Sequence, residues 1–266
     1  MLRKALAFGL ILGSGLCGNM VAWAAASFLA EAPPAIPGAP YSAVAVTQST
    51  TAFSDGNRIV RTNTIRYFRD GQGRTRVERG MGADGTITIT DTVAGQFYFI
   101  RPQSKTVEAI KVTPQFLAAQ ATARAPMDGQ IPFALLGMGM GIGASLSTEA
   151  TTVETALGQK SVNGVTATGT RVVRTFPPGV LGNEKPITST VDEWFSADLG
   201  VPVQVTQKSS IGGDISLNLT QVVRGEPDLT LFAPPAGYAV HQVGEGVGAV
   251  VSAGASPSVI TASKQP

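Results

Sequence analysis

The chain holds one cysteine, Cys17, and one histidine, His241, in 266 residues. A zinc site is left without its usual ligands. A Ser-His-Asp triad has only His241 to draw on, at the start of a Gly/Ala/Ser/Val-rich end segment, so none is expected. Charge is sparse as well: 20 Lys and Arg face 18 Asp and Glu. Arg3 and Lys4 belong to a leader, and without them the two signs balance. No overall basic field remains to hold nucleic acid or anionic lipid. Outside the leader there is no thiol, so neither disulfides nor cysteine chemistry are expected.

The leader comes first in what is present. Arg3 and Lys4 precede an apolar run from Ala5 to Leu16, and Ala22-Trp23-Ala24 offers small residues for cleavage. Residues 1–24 read as a secretory signal peptide, with a retained anchor as the alternative. Cys17 follows bulky Leu16, unlike a lipid-modification site. Residues 25–40 are rich in Ala and Pro and read as a flexible spacer.

From Tyr41 onward, runs of Val, Thr, Ile and aromatics alternate with turn signals. Asp55-Gly56, Asp70-Gly71, Asp84-Gly85, Ala94-Gly95, Asn163-Gly164, Leu199-Gly200 and Gly212-Gly213 punctuate the chain. Asp-Gly and Asn-Gly pairs accept positive φ and close tight hairpins. The spacing predicts strands over 41–54, 57–69, 73–80, 85–92, 96–101, 104–112, 148–157, 164–176, 187–196, 201–209 and 213–224. In TITIT, Ile87 and Ile89 share one face and Thr86, Thr88 and Thr90 a wetter one. Thr166, Thr168 and Thr170 repeat that alternation. A helix is predicted over 113–124, with Thr113 as cap and Pro114 in its first position. Residues 226–240 read as an ordered closing segment anchored by Leu231 and Phe232, and 241–266 as a disordered tail.

Candidate chemistry is thin. Asp192 and Glu193 are neighbours in a strand, so they point to opposite faces and cannot act together on one atom. One is expected in solvent and the other beside an Arg. Asp70, Glu78, Asp84 and Asp91 fall on turns or polar faces, where solvation is the default. Segment 126–146, PMDGQIPFALLGMGMGIGASL, carries no charge after Asp128. Its Gly139, Gly141 and Ala144 match dinucleotide-loop spacing but lack a strand–turn–helix context. Met127, Met138 and Met140 suit packing better than copper(I). The segment reads as a cover over an apolar sheet face, either a static plug or a lid. Residues 177–188, PPGVLGNEKPIT, read as a strand connection in which prolines end the ladder, with Glu184 and Lys185 solvated.

The runs YFRDGQGRTRVE, ITDTVAGQFYFIRPQSKTVEA, LGQKSVNGVTATGTR, PPGVLGNEKPI, VDEWFSADLGVPV and RGEPDLTLFAPPAGYAV resemble a family of secreted bacterial β-rich proteins over residues 41–240. More distantly, FYFIRPQSKT, DEWFSADLGVPV and DLTLFAPPAGYAV are similar to the LolA/LolB-like superfamily of periplasmic lipoprotein carriers. That resemblance implies an incomplete antiparallel β-barrel whose concave apolar face holds acyl chains. The chain lacks the carriers' proline–Phe-Arg-Trp strand, and fold alone does not confer function.

The expectation is a mainly β protein with minor α. An antiparallel meander of residues 41–240 forms a curved sheet or incomplete β-barrel, covered by a helix and the Gly/Met-rich loop. The expected function is a non-catalytic binding module of the periplasm or extracellular envelope, sheltering a lipid, an acyl chain or an acylated protein. The residues proposed to line its site are Phe97, Phe99, Phe116, Phe133, Leu135, Leu136, Met138, Met140 and Trp194. No metal, cofactor, nucleic acid or transmembrane span after leader cleavage is expected. The alternative is an interaction or structural domain that meets an envelope partner through loops such as 177–186.

Overall fold

The computed structural model describes residues 37–80, 82–113, 150–180, 182–209 and 213–243. The leader, the helix predicted over 113–124 past Thr113, the segment 126–146 and the tail beyond Val243 lie outside the described residues.

Among the described residues, twelve strands form a single sheet: β1 Tyr41–Ala52, β2 Arg58–Arg69, β3 Thr75–Arg79, β4 Thr86–Asp91, β5 Gln96–Arg101, β6 Thr106–Lys111, β7 Thr151–Val162, β8 Val165–Phe176, β9 Ile187–Ser196, β10 Val201–Ser209, β11 Asp214–Arg224 and β12 Ala239–Val243. Their spatial order is β12-β6-β5-β4-β3-β2-β1-β11-β10-β9-β8-β7. Two meanders, β1–β6 and β7–β11, join where β1 pairs with β11. The sheet curves but does not close: β12 and β7 are its edges.

The glycine turns fall between these strands as the sequence predicts. At the β7–β8 turn, Asn163 and Gly164 take φ of 49° and 81°, the left-handed pair that matches strand twist. β7 runs past residue 157, its predicted end. Gly158 does not stop it, because the ladder with β8 shifts by a bulge between Ala156 and Gly158.

Cross-strand partners share a face, so register locates the core. One rung runs Tyr41, Arg69, Thr75, Thr90 and Phe97. All of them are buried, and this side is named the Tyr41 face. Its main cluster joins Tyr41, Ala43, Ala45, Tyr67 and Val77 to Val162, Val165, Ala167, Leu199, Val201 and Val203 from the second meander. On the opposite face, Ile89, Ile100 and Val107 pack under Phe232. The expected wet threonine face is therefore corrected: Thr88 and Thr90 are 2% exposed, because this region of the sheet is covered on both sides. The exposed alternation does hold at Thr166 and Thr168.

The closing segment supplies Phe232. Asp228 accepts hydrogen bonds from the Thr230 N–H and hydroxyl, starting a short 3-10 helix over Leu229–Phe232. Arg76 donates to the Leu231 carbonyl at 2.9 Å, and the Arg74 guanidinium lies 5.3 Å from the Phe232 ring. The chain then adds β12 in parallel beside β6. His241, Gln242 and Val243, assigned by sequence to the tail, complete that strand.

One joint ties these parts together. Arg69, fully buried, donates to the Ala39 carbonyl through Nε and a terminal nitrogen, and to the Leu199 carbonyl at 2.6 Å. Its guanidinium lies 4.9 Å from the Tyr41 ring. Burial holds its pKa below the ordinary arginine value. Asp70 is buried too, contrary to the solvation expected for it. It accepts from the Gln72 and Arg74 N–H groups and from Arg74 Nε. Asp91 likewise accepts from the Val93 and Ala94 N–H groups. Gly71 N–H donates to both Glu226 oxygens, and a Cβ there would lie 2.8 Å from Glu226 Oε1.

Replacing Arg69 with Ala leaves the Ala39 and Leu199 carbonyls without this donor. The expected loss is about 2–4 kcal/mol, read from denaturant unfolding, with Arg69→Lys recovering part of it. An unchanged midpoint would show that the joint does not hold the two meanders together.

Candidate functional site

The Tyr41 face continues into the second meander. One rung runs Thr47, Leu217, Val205, Glu193 and Thr170, and the next runs Ser49, Ile215, Gln207, Val191 and Val172. Val205, Ile215 and Leu217 form a buried cluster with Val191 packed against it. Glu193 is thus a carboxyl on an apolar stretch, half-buried. Burial pushes its pKa above the ordinary value of 4.5. Among the described residues no cation or hydrogen-bond donor reaches it.

Asp192, next along the strand, faces the other way. Arg171 donates to its two oxygens at 2.6 and 2.7 Å, and those bonds hold its pKa below the usual carboxylate range. The expected opposition of the two acids is present, and Asp192 is the one beside an Arg. Glu193 differs from expectation: it faces the apolar side of the sheet.

Phe97 and Phe99 share the Tyr41 face. Phe97 is fully buried, and Arg101 lies 4.6 Å from the Phe99 ring. Trp194 packs against the same cluster as Tyr41, Tyr67 and Val203, beside the β10 bulge between Pro202 and Gln204, and pairs across the ladder with Gln204 and Gly169. It lies so close over Gly169 that a Cβ there would come within 2.6 Å of the indole. Lys160 Nζ sits 3.9 Å from the ring and donates to Gln204 Oε1 at 2.6 Å. The glycine of GVTATGT is thus required by the indole. Phe116, Phe133, Leu135, Leu136, Met138 and Met140 lie outside the described residues.

Beside the β11 bulge at Gln221 is a shallow hollow of about 250 Å³, lined by Ser42, Val44, Arg66, Phe68 and Val223 among others. Drug-sized ligands occupy clefts of roughly 300–1,000 Å³, so this hollow is too small to shelter a lipid. Loop 177–186 is exposed at most positions yet internally braced. Asn183 Nδ2 donates to the carbonyls of Pro177 and Lys185, and Gly179 N–H donates to the Asn183 carbonyl. The described residues contain no cluster of three or more His, Cys, Asp or Glu side chains suited to a metal. No helix among them is long and apolar enough to cross a membrane.

No protein-family model matches the chain, and no curated protein sequence does. Among solved structures, the chain is similar to one from the MucA/MucB complex of Pseudomonas aeruginosa: 16% identity and TM-score 0.39 over 83% of this chain and 63% of that one. It is also similar to a LolA-superfamily protein of Nitrosomonas europaea, at 10% identity and TM-score 0.32 over 80% and 96% of the two chains. Lipoprotein LppX of Mycobacterium tuberculosis overlaps at 16% identity and TM-score 0.25, over 80% and 96%. The chain therefore spans less than two thirds of the first of these. All three overlaps are partial, and the functional reading rests on the sheet itself.

A carboxyl whose folded pKa is raised stabilises the fold below its unfolded pKa. That contribution is lost as pH rises through the folded value. Glu193→Gln should therefore melt higher than the parent at pH 7 and lose part of the parent's decline from about pH 4.5 upward. For a chain this size, ~1 kcal/mol corresponds to about 2–4 °C in Tm. Thermal melts from pH 4 to 8 provide the check; equal slopes for parent and variant would contradict the assigned environment.

Proposed function

We propose that the chain is a non-catalytic envelope binding module whose Tyr41 face shelters a hydrophobic ligand, a lipid or acyl chain, or an acylated partner. The carrying observation is a curved, unclosed sheet with apolar side chains on that face in both meanders: Phe97 and Phe99 in one, Val191, Val205, Ile215 and Leu217 in the other. A sheet open at its edges can admit a chain-like ligand without unfolding, and burial of apolar area supplies the affinity. Residues 1–24, read as a secretory leader, support a periplasmic or extracellular location. Phe116, Phe133, Leu135, Leu136, Met138 and Met140 belong to this reading as proposed ligand contacts.

Organic extraction of the protein purified from its own envelope, followed by mass spectrometry, should release a lipid or acyl species in near-stoichiometric amount. Phe99→Ser should lower the yield several-fold while leaving the far-ultraviolet dichroism intact. Repeated extraction of folded protein without lipid would defeat the proposal.

A second reading draws on the Asn183 brace. A loop that is exposed yet held by its own hydrogen bonds is a surface presented in one shape, as docking to an envelope protein would need.

A further inference from the structure

The β1–β2 hairpin extends past both of its neighbours. β11 follows β1 only as far as Thr50, opposite Asp214. β3 follows β2 only as far as Ile65, opposite Arg79. Beyond those points, among the described residues, the two strands pair only with each other, Thr51 with Ile59 and Ala52 with Arg58. Phe53 N–H closes the turn on the Asn57 carbonyl at 2.9 Å. Every residue from Ala52 to Thr64 is exposed.

A free ribbon in water needs no large apolar side chains, yet Phe53, Ile59 and Val60 are 46%, 39% and 53% exposed. Strand alternation puts Ile59 and Arg61 on one face of the ribbon and Arg58 and Val60 on the other, with Phe53 in the turn. A protein surface docked on one face would leave the other apolar residue in water. A medium that surrounds the tip covers both. The arginine on each face is the charge complement of headgroup phosphate.

We propose that this finger dips its tip into a lipid surface, with Phe53, Ile59 and Val60 at the acyl boundary and Arg58 and Arg61 on the phosphates. The open backbone edge of β2 sets the depth. Beyond Ile65 no described strand pairs that edge, and its N–H and C=O groups need water or headgroups, so the tip stops at the interface. Asp55 in the turn, whose Oδ1 accepts from Asn57 N–H, opposes deeper entry. The near balance of charge in the chain as a whole supplies no long-range pull, so the apolar tip carries the affinity. This contact does not depend on the ligand-sheltering role of the Tyr41 face.

The test uses the full chain with Cys17→Ser and Ser54→Cys, carrying an environment-sensitive fluorophore at position 54. It is mixed with vesicles of phosphatidylcholine and phosphatidylglycerol, with and without shallow spin-labelled lipid. The label should shift to the blue and be quenched, whereas a label placed instead by Ser104→Cys, in the β5–β6 turn, keeps its aqueous emission. Adding Phe53→Ser and Val60→Ser should reduce quenching at position 54 at least tenfold without changing the melt. Aqueous emission at position 54 beside the vesicles overturns the proposal, whether the chain stays free or attaches by another part. A response that follows protein concentration without vesicles also overturns it, because a second copy would then be pairing along the open β2 edge.

Discussion

A buried arginine that holds backbone carbonyls is the constraint on which the rest of this fold depends. Arg69 sits at the end of β2, under the ring of Tyr41, and its guanidinium bonds the Ala39 and Leu199 carbonyls. Leu199 belongs to the β9–β10 turn, so the second meander is pinned onto the face of the first. Within the second meander, Asn163 of the β7–β8 turn donates to the Leu219 carbonyl of β11 at 2.7 Å. Taking a guanidinium out of water is costly unless its donors find partners. The acceptors here come from segments distant in sequence, so Arg69 is satisfied only when both meanders are in place.

The motifs that carry the family resemblance meet at this joint. YFRDGQGR supplies Tyr67 and Phe68 to opposite faces, Arg69 to the joint, and Asp70 and Arg74 to the turn. SADLGVPV supplies the Leu199 carbonyl. RGEPDLTLF supplies Glu226 to the Gly71 N–H and Phe232 to the second core. Their specificity is therefore architectural: they describe how a curved sheet is tied shut at one end. Motifs of this kind fix a fold without fixing what it binds.

Most strands were legible because this fold is built from local hairpins. Each turn announces itself through residues that accept positive φ, and alternation then assigns faces. What stayed hidden depends on contacts distant in sequence. β12 pairs in parallel with β6 only after the closing segment has crossed the sheet, and nothing within Ala239–Val243 signals that partner. Thr88 and Thr90 read as wet because alternation cannot report that both faces are covered. Asp70 and Asp91 read as solvated because acceptance by nearby backbone N–H groups is invisible in composition. At the site, the opposition of Asp192 and Glu193 was legible from strand period, but which acid turned inward was not. Trp194 packs against the Tyr41 cluster beside the β10 bulge between Pro202 and Gln204, an irregularity that residue type does not announce.

The strands also distinguish the two ends of the sheet. Turns β2–β3, β4–β5, β7–β8 and β9–β10 lie at the Arg69 end, with their polar groups tied down. Turns β1–β2, β3–β4, β5–β6, β8–β9 and β10–β11 lie at the other end. Burial fades in that direction along β1 and β10, from strict alternation to half-exposed residues. Glu193 stands on the Thr47 rung, near where the alternation in β1 gives out. Beyond it lie the braced loop 177–186 and the apolar finger. A sheet sealed at one end by backbone hydrogen bonds can keep the other end unpaired and adaptable without losing its register. Among the described residues, the Glu193 carboxyl without a cation and the apolar β1–β2 tip lie toward that loosened end. At the Arg69 end the hydrogen bonds engage the turn backbone and fix the register from which the strands run, while side chains such as Val93 remain exposed.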